Sequence, residues 1–314
     1  TEGLGSNNVA GIAEDSEGDL WFATDRGVYR YDGKEVQSCE IAGSRDEAVN
    51  CMFVSQDNGL WLGAAGGIFV YDGRIFREVA SLPAPVYLIF EDRAKTLWLG
   101  TEGGVYRLTE ATTALEGPLV TARVSSILED RAGNLWLATS GGLVKYDGRE
   151  FVVQQGWVDG AVLSMTEDRR GQLWFGAERG VSRYNGTQLH KISAVNGDTL
   201  SFVRTIWEDR DGNLWFGTEE GVYKYPLETI RHFTAADGLA GEVVKFALED
   251  RDGNLWFGTE KGLSKYAGEQ FQHLPLPGDG AGDRVLSMWQ DRSGNPWVGT
   301  PAGLYSNFEP YESH

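Results

Sequence analysis

Short runs of apolar residues, each closed by Gly, Asp or Asn, alternate with polar turns along the whole chain. Across residues 203–233 the run VRTIWE (203–208) is followed by the turn DRDGN (209–213), the run Leu214–Gly217, a turn at 218–220, the run GVYKY (221–225) and the run TIRHF (229–233). Runs this short, bounded by turn formers, predict four strands in an antiparallel meander. Close copies centre on Trp21, Trp61, Trp98, Trp136, Trp174, Trp215, Trp256 and Trp297, separated by 40, 37, 38, 38, 41, 41 and 41 residues. Four-stranded units at this period predict an all-β fold, a β-propeller of eight blades forming one domain over residues 1–314. The tryptophan and the third run then recur for packing, because each blade is covered on both faces by its neighbours.

The turn between the first two strands has a chemical logic. An Asp at its start accepts backbone N–H groups, and a Gly supplies the positive φ that other residues resist. Asp15, Asp92, Asp130, Asp168, Asp209, Asp250 and Asp291 fit this role. In the second repeat Asp57, Asn58 and Gly59 predict a shorter hairpin; in the third, Lys95 replaces the Gly and predicts a less regular corner. The eighth repeat carries Asn307 where the sixth has Tyr225 and has a poor fourth strand after Phe308, so it reads as a capping or truncated blade. The segment before Val9 is too short to lend a full outer strand to the last blade, which leaves closure to packing between the first and last repeats.

Composition narrows the partners. Forty-six acidic against 28 basic residues give a net charge of −18, which repels phosphate backbones and anionic lipid and argues against nucleic acid. No stretch approaches the length of a membrane span. The two cysteines, Cys39 and Cys51, fall near the outer edge of one repeat and on the inner strand of the next, a placement that disfavours a disulfide. The chain starts at Thr1 without a signal or transit segment and reads as a mature protein or an excised domain.

The pattern ED-x-x-GNLW-x-GT-x-x-GL-x-x-Y, best matched over residues 129–146, 208–225 and 249–266 and preceded by GLGSNNV at residues 3–9, resembles the two-component regulator propeller repeat. The resemblance spans nearly the whole chain. It implies the extracytoplasmic sensor portion of a bacterial hybrid regulator, periplasmic or extracellular, associated with glycan fragments or other nutrients. Kinase, receiver and DNA-binding segments that the family pairs with the propeller are missing from this sequence.

Candidate chemistry is sparse. His190, His232 and His273 fall at matching places in fourth strands, on the rim, and His314 is terminal. DRDGNLWFGTEE has carboxylates spaced like a calcium loop but lacks its central Gly and flanking helices, so no metal or cofactor is expected. Glu–Asp pairs recur in six repeats and Gln–Asp in the other two; a catalytic pair would break the repeat symmetry, whereas these follow it. No catalytic residue is assigned.

Function is therefore expected in residues that differ between repeats near the starts of the first strands: Asn8, Asn50, Tyr87, Arg123, Arg204, Lys245 and Arg284, with Trp157, Asp159 and Asp198 in nearby loops and Arg26, Arg179 and Lys261 in the second-to-third turns. Arginine forks there would bind carboxylate or sulfate, and Trp157 or Tyr87 would stack on a sugar. Trp207 and Trp289, inside first strands, are expected in the core between blades. The expectation is a non-enzymatic, ligand-binding sensory propeller whose ligand is a glycan fragment or small polar molecule, with the set Asn8, Asn50, Tyr87, Arg123, Trp157, Arg204, Lys245 and Arg284 as its site. The alternatives are a propeller lyase acting on a polysaccharide or lactone, and a scaffold for a protein partner; the sequence leaves the oligomeric state open.

Overall fold

The computed structural model describes residues 4–6, 8–43, 48–109, 115–195, 198–225, 230–268, 270–276 and 283–306. It is an eight-bladed β-propeller. Blades 1 to 8 cover residues 9–39, 49–81, 86–120, 124–153, 162–192, 205–233, 244–274 and 287–306. Seven are antiparallel sheets whose four strands lie in chain order. Blade 8 shows three strands, and its expected fourth, from Phe308 on, lies outside the described residues. The chain divides into two compact units, Thr1–Val124 with Leu286–His314, and Ser125–Val285. The first strands of blades 8, 1, 2 and 3 lie side by side in turn, as do those of blades 5, 6 and 7.

Each second strand is a packing rod. Leu135–Thr139, Leu173–Ala177 and Leu255–Thr259 are buried at every position, because neighbouring blades cover both faces of the sheet and the usual polar alternation is lost. The central Trp donates its indole N–H to the turn Asp of its own blade: Trp21 to Asp15 at 2.7 Å, Trp98 to Asp92 at 2.8 Å, Trp215 to Asp209 at 2.7 Å, Trp256 to Asp250 at 2.8 Å. Its ring packs on the next blade. Trp174 meets Phe216 and Tyr225, and Trp215 meets Phe257 and Tyr266. A third-strand cation lies over the Trp of its own blade in six blades: Arg30, Arg107, Lys145, Arg183, Lys224 and Lys265.

The Glu–Asp pairs divide the labour. Asp209 Oδ1 accepts the Asn213 backbone N–H at 2.8 Å while Oδ2 takes the Trp215 indole, so the calcium-like spacing is that of a turn. The Glu reaches back to the preceding blade: Glu167 accepts the Arg131 backbone N–H and Glu208 that of Arg169, both at 2.8 Å. The arginine returns the contact, Arg131 Nη1 to Arg169 O at 2.9 Å and Arg169 Nη1 to Arg210 O at 2.7 Å. Blade 8 grips blade 1 by the same device, since the Arg292 N–H donates to Glu14 at 2.7 Å, Arg292 Nη1 donates to Ser16 O at 2.9 Å, and Trp297 packs near Phe22 and Tyr31.

Several turn expectations need correction. The second repeat does not shorten its first turn. Ser55 replaces the Asp, its hydroxyl accepting the Gly59 N–H at 2.9 Å, and Asn58 with φ 62 occupies the place where blade 1 has Gly18 with φ 92. Val54 pairs with Leu60 as Glu14 pairs with Leu20, so Gln56–Asp57 is not the counterpart of the Glu–Asp pairs. Nor is the third corner irregular: Lys95 adopts φ 63 and closes on Asp92 O at 2.9 Å. Trp207 packs into the core between blades 6 and 7, whereas Trp289 is 38% exposed and is not a core residue. The first strand of blade 6 is Thr205–Glu208, its third Val222–Tyr225 and its fourth Arg231–Phe233; Thr229 lies outside the described residues. Cys39 and Cys51 are free, and burial pushes the Cys51 thiol up to about 12.

Candidate functional site

Every first strand is entered through a buried valine: Val9, Val49, Val86, Val124, Val162, Val203, Val244 and Val285. The next residue departs from the ladder. In blade 7 Val244 pairs with Thr259 and Phe246 with Gly258, so Lys245 is the extra residue of a β-bulge; Ala10, Asn50, Tyr87 and Leu163 hold the same place in blades 1, 2, 3 and 5. Arg204 joins them, because its N–H bonds Gly217 O, the residue that Thr205 faces. A bulge re-aims the extra side chain and exempts it from the alternation that packs the rest of the strand. That exemption explains how cations and polar groups occupy an inner strand.

The candidate residues thus sort into two positions and an exception. Asn50, Tyr87, Arg204 and Lys245 are bulge residues, while Asn8, Arg123 and Arg284 immediately precede the entry valine. Trp157 belongs to neither. Its half-buried ring packs against Trp136 at 5.6 Å and Tyr184 at 4.6 Å, beside the apolar cluster between blades 4 and 5.

In the unit holding blades 1, 2, 3 and 8, Asn8 donates to the Asp25 carboxylate at 3.5 Å. Tyr87 is 42% exposed, Asn50 is half-buried, and their strands are neighbours. Arg123 is exposed.

The other unit, Ser125–Val285, gathers charge. Arg204 pairs through Nη2 with Glu219, and its Nε is buried without a hydrogen-bond partner among the described residues. Burial, reinforced by the positive charges of Arg284 and Arg204, holds the Lys245 ammonium below the ordinary lysine range against the pull of Glu260 and Glu219. Glu260 is itself fixed: it accepts the Val243 N–H at 2.8 Å and lies where a Cβ on Gly241 would come within 2.8 Å of it. Around Lys245, two arginines and two glutamates act on its charge, so with Lys245 itself three cations stand against two carboxylates. Of the nearby loop residues, Asp159 pairs with Lys191 at 2.8 Å, the Arg179 backbone N–H donates to Asp159 O at 3.1 Å and the Lys261 backbone N–H donates to the Thr259 hydroxyl at 3.1 Å. Asp198 lies in a two-stranded ribbon, Ala194–Val195 with Asp198–Thr199.

His190, His232 and His273 lie on fourth strands, where His232 stacks on Tyr223 at 4.1 Å. Among the described residues no three His, Cys, Asp or Glu side chains gather to hold a metal, and no helix is long and apolar enough to cross a membrane.

The two-component regulator propeller family profile matches residues 3–26, 118–141, 199–220 and 238–261. No curated protein matches the chain in sequence. Among solved structures, the extracellular domain of a protein described as a one-component system from B. thetaiotaomicron is 20% identical, with 97% of this chain and 52% of that one covered and a TM-score of 0.58. The extracellular domain of a hybrid two-component system from the same organism is 19% identical, covering 99% of this chain and 51% of the other, at 0.52. The chain spans about half the length of these two domains. Virginiamycin B lyase from Staphylococcus aureus, as a catalytically inactive histidine-to-alanine variant with quinupristin, is 14% identical over 85% of this chain and 96% of its own, at 0.62. At such identities the likeness is one of fold.

Proposed function

We propose, from the premise that the repeats of this chain belong to the two-component regulator propeller family, that it is the non-enzymatic, ligand-receiving part of an extracytoplasmic sensor. Its eight repeats act as one domain, and its ligand is a small polar molecule or glycan fragment bearing an anionic group. The observation that carries this reading is the cluster of Arg204, Lys245 and Arg284, the first two at bulge positions outside the strand's alternation and the third at a strand entry. An arginine fork recognises carboxylate or sulfate bidentately, and a bound anion relieves the mutual repulsion that the three cations carry when empty.

Calorimetric titration of the whole chain with acidic and neutral oligosaccharides tests this. Acidic oligosaccharides bind and neutral ones do not, and Arg204→Ala with Lys245→Ala weakens the acidic set at least tenfold. Equal binding by that double variant removes the site. A second reading, a lyase, draws on the fold shared with virginiamycin B lyase. It predicts that a bound ligand is consumed, so intact ligand after prolonged incubation argues for the sensor.

A further inference from the structure

Phe202 stands in a conformation that its residue type resists. Its φ is 46°, a left-handed value unusual for a bulky side chain, and 37% of its surface is exposed. The connector is fixed on both sides of it. The Leu200 N–H bonds Ser193 O at 2.9 Å, the Phe202 N–H bonds Glu178 O at 2.9 Å and the Val203 N–H bonds Ala177 O at 3.0 Å, while Leu200 and Val203 are fully buried. Neither burial nor backbone preference accounts for a phenylalanine at 202, and the corresponding residues before the other entry valines (Asn8, Ala48, Pro85, Arg123, Ala161, Val243 and Arg284) include no aromatic. What the position does have is a charged neighbour: the Arg204 guanidinium carbon lies 5.9 Å from the Phe202 ring centroid. Strain held in place beside a binding group marks a functional position.

We propose that Phe202 is the stacking platform for the ring of an acidic sugar whose carboxylate is held by Arg204 and Lys245. The proposal rests on the anion reading above and narrows it to a cyclic carboxylate with an apolar C–H face. One side of the pyranose lies on the exposed part of the aromatic ring, and the carboxylate projects to the cations beside it. An open-chain acid of the same charge meets the cations but has no flat face to offer.

The test compares methyl glucuronide and methyl galacturonide, both locked as rings, with the open-chain acids gluconate and galactonate, by calorimetry on the whole chain. At least one ring acid binds about fivefold to tenfold more tightly than its open-chain counterpart. Phe202→Gly abolishes that preference, so that ring and open-chain acids bind alike. Because glycine accepts a positive φ, relief of backbone strain offsets part of the packing lost with the ring, and a cooperative unfolding transition in this variant separates loss of the ring from loss of the fold; Phe202→Trp keeps the preference. A ring preference surviving in Phe202→Gly, or none in the wild type while Arg204-dependent binding of all four acids persists, overturns the platform and spares the anion site. If none of the four acids binds, the platform is overturned, and the anion site stands or falls on the acidic oligosaccharides.

Discussion

The two ends of one inner strand obey different rules. In blade 7, Glu249 and Asp250 close the strand by repeating what their counterparts do elsewhere: the Asp holds its turn and the Trp256 indole, and the Glu meets Arg210 of the previous blade at 3.3 Å. Lys245, at the opening of the same strand, matches only Arg204 in character among the bulge residues, which elsewhere are Ala, Asn, Tyr and Leu. The difference is one of obligation. At the turn end a side chain must satisfy a buried indole and several backbone donors at once, so few residues serve. At the bulge end the ladder releases the side chain, and the chain can vary it at little cost in folding. Structure is maintained at one end and variation is admitted at the other.

The largest expected effects that can break this comparison lie at the turn end. Trp215→Ala should cost about 3–5 kcal/mol, as a fully buried aromatic that fills the space between two blades. Asp209→Ala, which strands the indole and the turn donors, should cost about 2–3 kcal/mol. Arg204→Ala, at the other end of the neighbouring strand, should stay within about 1 kcal/mol, because its pair with Glu219 is partly solvated. Denaturant unfolding of the three variants decides the matter: an Asp209→Ala as mild as Arg204→Ala would mean that the turn end is not the structural one.

Acid should act at the turn end as well. Burial alone would raise the carboxyls of Asp130, Asp250 and Asp291, but hydrogen bonds from their Trp and Asn partners outweigh it and hold all three below the ordinary Asp value. A depressed folded-state value stabilises the fold above the unfolded value and is lost as the pH falls through the folded one. Melting temperature should therefore drop steeply below about pH 4, and Asp250→Asn should flatten part of that drop.

Lys245 offers a smaller effect of opposite sign. Its ammonium is held below the ordinary lysine range by burial and by its cationic neighbours, so the unfolded chain binds its proton more tightly and the charge weakens the empty fold at neutral pH. Lys245→Met should raise the melting temperature of the unliganded chain, by about 1–3 °C, and weaken binding of an acidic ligand. A variant that lost stability together with binding would place Lys245 among the structural residues.

How far each end could be read in advance follows from the same contrast. The blades were legible because the turn Asp, its Gly and the Trp recur, and each has a local physical reason to recur. The second blade misled because Asp57–Asn58–Gly59 has the composition of a tight hairpin, while the structure builds the ordinary turn from Ser55 and Asn58. The bulge was invisible: it is a slip in hydrogen-bond register, and no residue type marks it, although the valine before it stands in all eight repeats. Connectors have no period at all, which is why the half-buried Trp157 was singled out from its residue type and the more exposed Phe202 was passed over.

The finest test of the comparison is a turn residue that breaks the repeat without harm. Lys95 carries φ 63 where blades 1, 4, 5, 6, 7 and 8 use glycine. Lys95→Gly removes a left-handed non-glycine residue, a gain of about 1 kcal/mol. It also loosens the unfolded chain, at about 0.4–1 kcal/mol, and deletes the exposed ion pair to Asp57, at about 0–1 kcal/mol. These nearly cancel, so the stability change should lie within about 0.5 kcal/mol. A loss well beyond that, reproduced by Asp57→Ala alone, would make the Lys95–Asp57 pair a true clamp between blades 2 and 3. The lysine would then be serving at the structural end of its strand the kind of blade-specific purpose otherwise found at the bulge.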